Sequence, residues 1–543
     1  MPRSSLSGLQ VAFSYIHLIT INRNGEQIMK SMIYPGDANE YDFCAIGEDT
    51  LDDLKFPVAI DGIAAYISKN EKTIQYRQEL FENMLAFPEL FDFFTDIYAG
   101  LSDLKEIALK NPESLALGNE QLLYSMRELC VFTDLVNRIA EKYDGMKSHV
   151  TAKGFEIFFG YVKSIKESEN FDNIYEKLKL VDDGMKSIKS ITLGINLTSQ
   201  LSASEVGIIS INSQPYVSDT PLDKLLRKEN PDREFRCIAP LGLVETGGVM
   251  QRNSMSIDVT FYNAMNNILK GSIKNLKHYF TNTIFSAITS ILNYLPEIDF
   301  LIRAGGFMFS LKKMNIKLSF PTISEEHEAD NLINPNLIEK MPLHKIIPND
   351  SVFDDDGRVF ILTGPNSGGK SVFAQAVGIA QIMFQLGLPV TADRASYSIC
   401  DAVYTHFNKT SANTIESRLV NETKRLKQIM NQTTENTLLL FDEMLSSTSA
   451  YDATILASGI LKHISKIGCK CIYATHLHEL AMNYQSLNEG GANKGKIDVL
   501  CSPMKNGLRS YEIKRGKIDS ISSSFAKDIF IEYGIDFIFE QEQ

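Results

Sequence analysis

Eight consecutive residues carry the strongest chemical signal. Gly364-Pro365-Asn366-Ser367-Gly368-Gly369-Lys370-Ser371 fits G-x-x-x-x-G-K-[ST], a loop that cradles phosphates. Its glycines let backbone N–H groups approach phosphate oxygens closely. A helix beginning at its end adds further donors and the positive end of a dipole. Lys370 is expected to reach the β- and γ-phosphates, and Ser371 to ligate Mg²⁺. The second signal is Leu438-Leu439-Leu440-Phe441-Asp442-Glu443. Four apolar residues ending in two acids describe a buried strand whose tip emerges beside the phosphates. Asp442 is placed to hold magnesium through its water shell. Glu443 is placed to orient or deprotonate the attacking water. The third is Ala474-Thr475-His476, which ends another apolar run. A lone histidine is more often structural, but at the tip of a strand in the same sheet His476 can sense a γ-phosphate. Together these residues predict a Mg²⁺-dependent ATPase.

The elements that must hold these groups are also legible. Val359-Phe360-Ile361-Leu362, Thr437 to Phe441 and Cys471 to Ala474 are short, bounded apolar runs separated by helical patterns. That spacing predicts an α/β region with a central, mostly parallel sheet. Upstream, from about 50 to 185, the period is helical. Leu80, Phe81, Met84 and Leu85 share a face, as do Leu122, Met126, Leu129, Val136 and Ile139, and again Ile174, Leu178, Val181 and Met185. Ile191, Leu193, Ile195 and Leu197 then alternate with polar or small residues, and Val206 to Ile211 follow, which predicts a small β insertion. A long helix is expected from Ile257 to Leu295, ended by Pro296. Lys270, Lys274, Lys277 and His278 fall on one of its faces, either a solvated face or a phosphate-facing stripe. The expected fold is multidomain. Residues 1–49 form a segment of unclear fold, 50–320 a helical domain with the β insertion around 190–245, and 321–543 an α/β P-loop domain.

The chain has 543 residues, 44% hydrophobic and 22% charged, as an ordinary globular protein does. No apolar run approaches the roughly 20 residues of a membrane span. The N-terminus lacks an apolar signal core. A cytoplasmic protein without membrane contact is expected. The net charge of −13 is not the global footprint of a nucleic-acid binder, so any DNA contact must use a local basic surface. Seven cysteines without a CxxC pair support neither a disulfide framework nor a zinc site. Cys469 and Cys471, two apart in a strand, are expected to point to opposite faces.

The order and detail of the three motifs resemble the ATPase domain of the MutS family of mismatch-repair proteins, an ABC-type P-loop domain. Family loops read Gly-Pro-Asn-x-Gly-Gly-Lys-[Ser/Thr], which Gly364 to Ser371 matches. The Leu-Ser-Gly-Gly-Gln signature of transporter ATPases is not found. Ser417, followed five residues later by Glu422, occupies the place of a family serine that begins a helix after a loop. The resemblance implies that Ser417 reaches the γ-phosphate bound to a partner subunit. Thr448, Ser449, Tyr451 and Asp452 match a family Thr-Ser-x-Tyr-Asp run, and Tyr511 with Ser523-Ser524-Phe525 resembles the last motif of the domain. The likeness is strong over about 345–530 and weaker over about 50–320, where the helices resemble the family's core and lever region and Leu276 to Lys313 a lever helix.

Departures are equally specific. Phe87-Pro88-Glu89 fits the family's mismatch-reading Phe-x-Glu, but it sits in a helical stretch and reads as a decoy with Phe87 in the core. No mismatch-reading domain is recognisable. Leu445-Ser446-Ser447 replaces the family's Gly-Arg-Gly. Asn334-Pro335 stands where Arg-His-Pro is usual. The resemblance implies a homodimeric ATPase that couples nucleotide state to double-stranded or branched DNA, recognising DNA structure rather than mispairs. The alternative is an ATP-driven protein-interaction switch without direct DNA contact.

Overall fold

The computed structural model describes residues 30–36, 42–110, 121–168, 171–186, 189–201, 203–215, 217–218, 236–237, 282–365, 367–408, 418–489, 493–505 and 508–516. The chain divides into two compact units. One comprises Met1–Phe94, His149–Ile157 and Pro296–Gln543, and the other Thr95–Ser148 and Phe158–Leu295. Part of the helical region read as 50–320 therefore groups with the sheet-bearing unit.

The sheet-bearing unit is built on seven strands. Their order is Ala45–Ile46, Ala402–Phe407, Thr437–Asp442, Lys470–Ala474, Val359–Thr363, Ile497–Cys501 and Lys514–Arg515. All neighbours pair in parallel except the last two. The three apolar runs read from the sequence are its three central strands, buried at every residue. Their uninterrupted apolar character follows from cover on both faces. Leu439 and Phe441 point into a core shared with Ala453, Ala457, Leu461 and Ile464 of the helix Ala450–Ile467. Leu440, of opposite parity, meets Gly378 of the P-loop helix Lys370–Gln385, where an added Cβ would stand 2.6 Å from Leu440 and from Leu54. That helix is buried on nearly every side yet carries three glutamines. Each amide nitrogen is answered: Gln385 donates to the carbonyls of Ser68 (2.8 Å) and Cys400 (2.9 Å), Gln381 to Gln385 (2.7 Å), and Gln375 to Asp53 O (2.9 Å). A smaller four-stranded sheet, Thr322–Ile323, Arg394–Tyr397, His327–Leu332 and Asn349–Phe353, belongs to the same unit.

The N-terminal region supplies what could not be read from the sequence. Ala45–Ile46 is the edge strand beside Ala402 and Val403, and the short helix Thr50–Leu54 follows it against the strand Ala402–Phe407. Thr50 donates to Val403 O (3.3 Å).

The second unit contains the helices Gln121–Met146, Phe171–Lys186 and Asn282–Leu292, most of Lys153–Lys166, and the hairpin Ser190–Leu197 with Ala203–Asn212. Aromatic rings knit its helices: Tyr143 stacks on Phe159 at 4.3 Å, and Phe158 meets Tyr294 edge-on at 5.1 Å. The hairpin lies where the alternating pattern predicts it.

Three expectations are corrected. Pro296 does not end a helix that runs into it. It lies in the first turn of a new helix, Leu295–Lys313, where its missing N–H leaves no bond unmade. Phe87 is not in the core. It caps the helix Glu71–Ala86, half-buried, and stacks on His149 at 4.4 Å. Cys469 and Cys471 do not diverge: residues two apart along a strand share a face, and both thiols are buried in the same core cluster. Lys270, Lys274, Lys277 and His278 lie outside the described residues. Among the described residues, no helix is long and apolar enough to cross a membrane.

Candidate nucleotide-binding site

The P-loop leaves the carboxyl end of the central strand Val359–Thr363 and enters the helix at Lys370, so it sits where parallel α/β sheets bind ligands. Two glycines are required by backbone shape. Gly364 has φ +145°, and a Cβ there would stand 2.9 Å from Ser502 Cβ and 3.0 Å from Ser502 O. Gly369 has φ +92°. Ser367 also adopts a positive φ, 59°, which costs a residue with a Cβ about 1–2 kcal/mol. The loop is held across by Gly368 N donating to Pro365 O (3.0 Å) and by Ser502 Oγ donating to Gly368 O (2.8 Å). Asn366 lies outside the described residues.

Lys370 is 5% exposed. Its ammonium donates to the carbonyls of Gly364 and Pro365, both at 3.0 Å. Burial lowers its pKa from the ordinary lysine value, against the opposing pull of Glu443 and Asp442. Asp442 is the last residue of its strand. Burial raises its pKa, and a hydrogen bond from the Ser371 hydroxyl acts the other way. Its Oδ1 is buried with no hydrogen-bond partner among the described residues. A buried, unanswered carboxylate oxygen beside a serine hydroxyl is the donor set a small hard cation takes. Glu443 follows with φ +50°, its N–H donating to Ala474 O on the neighbouring strand (2.9 Å). A cavity of about 530 Å³ opens here, with Lys370, Ser371, Glu443, Asn334, Phe373 and Tyr511 among its lining residues.

The structure thus brings Gly364, Pro365, Ser367, Gly368, Gly369, Lys370, Ser371, Asp442 and Glu443 to one place. His476 is exposed, two residues beyond the strand Lys470–Ala474. A second histidine, unnoticed in the sequence, stands closer to the loop's root. His478 Nδ1 lies 3.0 Å from Thr363 Oγ1, and burial, Lys370 and His476 all lower its pKa. The His-x-His spacing after the strand was its only sequence signal. Ser417 lies outside the described residues and adjoins the helix Arg418–Gln432. So do Ser523 to Phe525.

Other contributors come from distant positions. Asn334 caps the short helix Pro335–Ile338 and donates to Val372 O (2.9 Å), pinning the first turn of the P-loop helix. Asn349 donates to Tyr511 O (3.1 Å) and accepts from Ile513 N (2.6 Å), holding Tyr511 at φ +57° on the cavity wall.

Comparison with known proteins finds relatives of this region. Residues 360–520 match the family model described as MutS domain V. DNA mismatch repair protein MutS of Prochlorococcus marinus (strain MIT 9312) is 33% identical over 237 residues, 42% of this chain and 25% of that protein. The protein of the same description from Lactobacillus helveticus (strain DPC 4571) is 28% identical over 275 residues, 50% of this chain and 30% of that protein. The chain spans about a quarter to a third of the length of these curated relatives. The P-loop, Asp442 and Glu443 all fall within the matched residues, and it is through this C-terminal half that the chain is similar to MutS proteins.

Proposed function

We propose that the chain is a MutS-class ATPase that binds ATP with Mg²⁺ at the P-loop and hydrolyses it. One observation carries the reading: Ser367, Gly369, Lys370, Ser371 and Glu443 line a single cavity, with Asp442 hydrogen-bonded to Ser371 beside it, within the residues that match MutS domain V. The N–H groups of Gly364 to Ser371 cradle the phosphates. Lys370 leaves the two loop carbonyls and turns its ammonium to the phosphate oxygens, trading neutral acceptors for charged ones. Ser371 and Asp442 are the residues that would hold Mg²⁺, and the orphaned Asp442 Oδ1 fits that task. An ion held by these residues would supply positive charge against that developing on the phosphates. Glu443 orients the attacking water and accepts its proton. We assign His476 to sensing the γ-phosphate, and Ser417 to a contact with nucleotide held by a second copy of the chain.

We further propose that the homodimer couples nucleotide state to double-stranded or branched DNA. A second reading, an ATP-driven switch acting on a protein partner, is favoured by the net charge of −13. The test is phosphate release from ATP with and without Mg²⁺, followed by binding to plain, mismatched and branched DNA at two salt concentrations. ATP turnover that needs Mg²⁺ supports the ATPase reading; no nucleotide binding at all sinks it. Salt-sensitive DNA binding supports the DNA reading, and its absence in every nucleotide state leaves the protein-partner switch.

A further inference from the structure

We propose that Glu422 is a positioning residue that sets the backbone of Glu443, so that the helix Arg418–Gln432 controls the hydrolysis step. This rests on the ATPase reading above. Glu443 and Leu445 both occupy the left-handed region, at φ +50° and +61°, and neither is glycine. Such a segment keeps its shape only if its surroundings hold it there.

The holders come from two sources. From the sheet side, Glu443 N donates to Ala474 O (2.9 Å). Asn408 donates through its backbone N–H to Asp442 O (3.2 Å) and through Nδ2 to Ser446 Oγ (2.8 Å). These anchors are on strands or at their ends. From the helix side, Glu422 Oε2 accepts from Leu445 N (3.2 Å) and from Ser447 Oγ (3.5 Å). A carboxylate accepting from a backbone N–H forms a charge-assisted bond, stronger than a neutral one. The chemistry of Leu445-Ser446-Ser447 suits this arrangement, since the loop offers one N–H and one hydroxyl to the same oxygen.

The helix is itself tethered on the same face. Arg425, three residues after Glu422, pairs with the buried carboxylate of Asp53 and donates to Thr405 O (2.8 Å). His406 Nε2 lies 3.3 Å from Glu422 O. One rigid element therefore joins the end of the strand Ala402–Phe407 to the loop that carries the water-orienting carboxylate. A shift of this helix moves the Leu445 N–H, and with it Glu443, without touching the P-loop. Nucleotide binding and hydrolysis can then be separated: the loop and Lys370 bind, while the position of Glu422 sets whether Glu443 is aligned.

The test uses the full chain with Glu422→Ala, Glu422→Asp and Glu422→Gln, measuring steady-state ATP turnover, affinity for a fluorescent ATP analogue, and the thermal unfolding midpoint. Glu422→Ala is expected to lower kcat about 10- to 100-fold with analogue affinity and midpoint unchanged. Glu422→Asp keeps the charge but shortens the reach by one methylene, and is expected to lose kcat similarly; it carries the test if the alanine variant does not fold. Glu422→Gln retains an acceptor oxygen and is expected to keep most of the parent rate. Parent-like turnover in both the alanine and aspartate variants overturns the proposal. Turnover, affinity and midpoint falling together also overturn it, because that pattern marks a merely structural residue. A parent chain that does not hydrolyse ATP overturns the ATPase reading itself, which distinguishes the two failures.

Discussion

The carboxylate of Asp53 accepts a hydrogen bond from the backbone N–H of Phe407 at 3.2 Å, across 354 positions of sequence. It also accepts from Thr405 Oγ1 at 2.8 Å and from Arg425. Phe407 pairs in register with Asp442. A buried acid near the N-terminus therefore fixes the strand tip beside the candidate magnesium ligand. Asp53→Ala removes the acceptor shared by three donors and leaves Arg425 with only Thr405 O (2.8 Å) and the more distant Asp49 carboxylate (3.4 Å). The expected loss of stability is about 3 kcal/mol, the lower end for a broken buried pair, because Arg425 keeps a fifth of its side chain exposed. Urea unfolding measures it; an unchanged midpoint would show that solvent replaces the carboxylate at no cost.

Lys370→Ala is expected to reduce ATP turnover by at least about a hundredfold, since charge stabilisation at the phosphates does most of the work in phosphoryl transfer. Phosphate-release assays decide it. A variant retaining a tenth or more of the parent rate would remove Lys370 from the chemistry.

Glu443→Ala is expected to bind ATP with parental affinity and hydrolyse it about 10²- to 10⁴-fold more slowly, the span of a lost general base. Binding by fluorescence and turnover by phosphate release separate the two effects. Equal rates in variant and parent would mean that another group orients the water.

Glu297 offers a prediction in pH. Its carboxyl is 2% exposed and accepts from Ser31 Oγ (2.8 Å) and Met32 N (2.7 Å). Burial nevertheless raises its pKa from 4.5 to about 7. The folded state thus holds a proton that the unfolded state releases near pH 4.5. This contribution is fully present below that pH, declines as pH rises through about 7, and is flat above, a total of roughly 3 kcal/mol. Glu297→Gln cannot titrate. Urea unfolding at pH 5 and pH 8 should show the parent losing more stability than the glutamine variant; parallel losses would place the pH dependence elsewhere.

Motifs and bounded apolar runs were legible because their information is local. The loop Gly364 to Ser371 and the pair Asp442-Glu443 carry their own context, and strands such as Thr437–Asp442 announce themselves by being apolar at consecutive positions. What could not be read is choice of partner. Ala45–Ile46 is too short to show a period, yet it closes one edge of the sheet. Ser502 and Asn349 serve the site from opposite sides of the P-loop in sequence, and nothing in their neighbourhoods marks them. Helix breaks misled for a related reason. Proline at 296 is equally compatible with the end of one helix and the start of another, and only the packing around Leu295–Lys313 decides. The cysteine expectation failed on geometry rather than on information, because a strand's period of two already puts Cys469 and Cys471 on one side.

The strand Ala45–Ile46 has a practical corollary for anyone excising the matched region. A fragment cut at residues 360–520 would discard this edge strand together with Asp53 and Leu54. It would bare the backbone of Ala402 and Val403, inviting intermolecular strand pairing and aggregation. Expression boundaries that begin before residue 42 keep the sheet's outer rail in place.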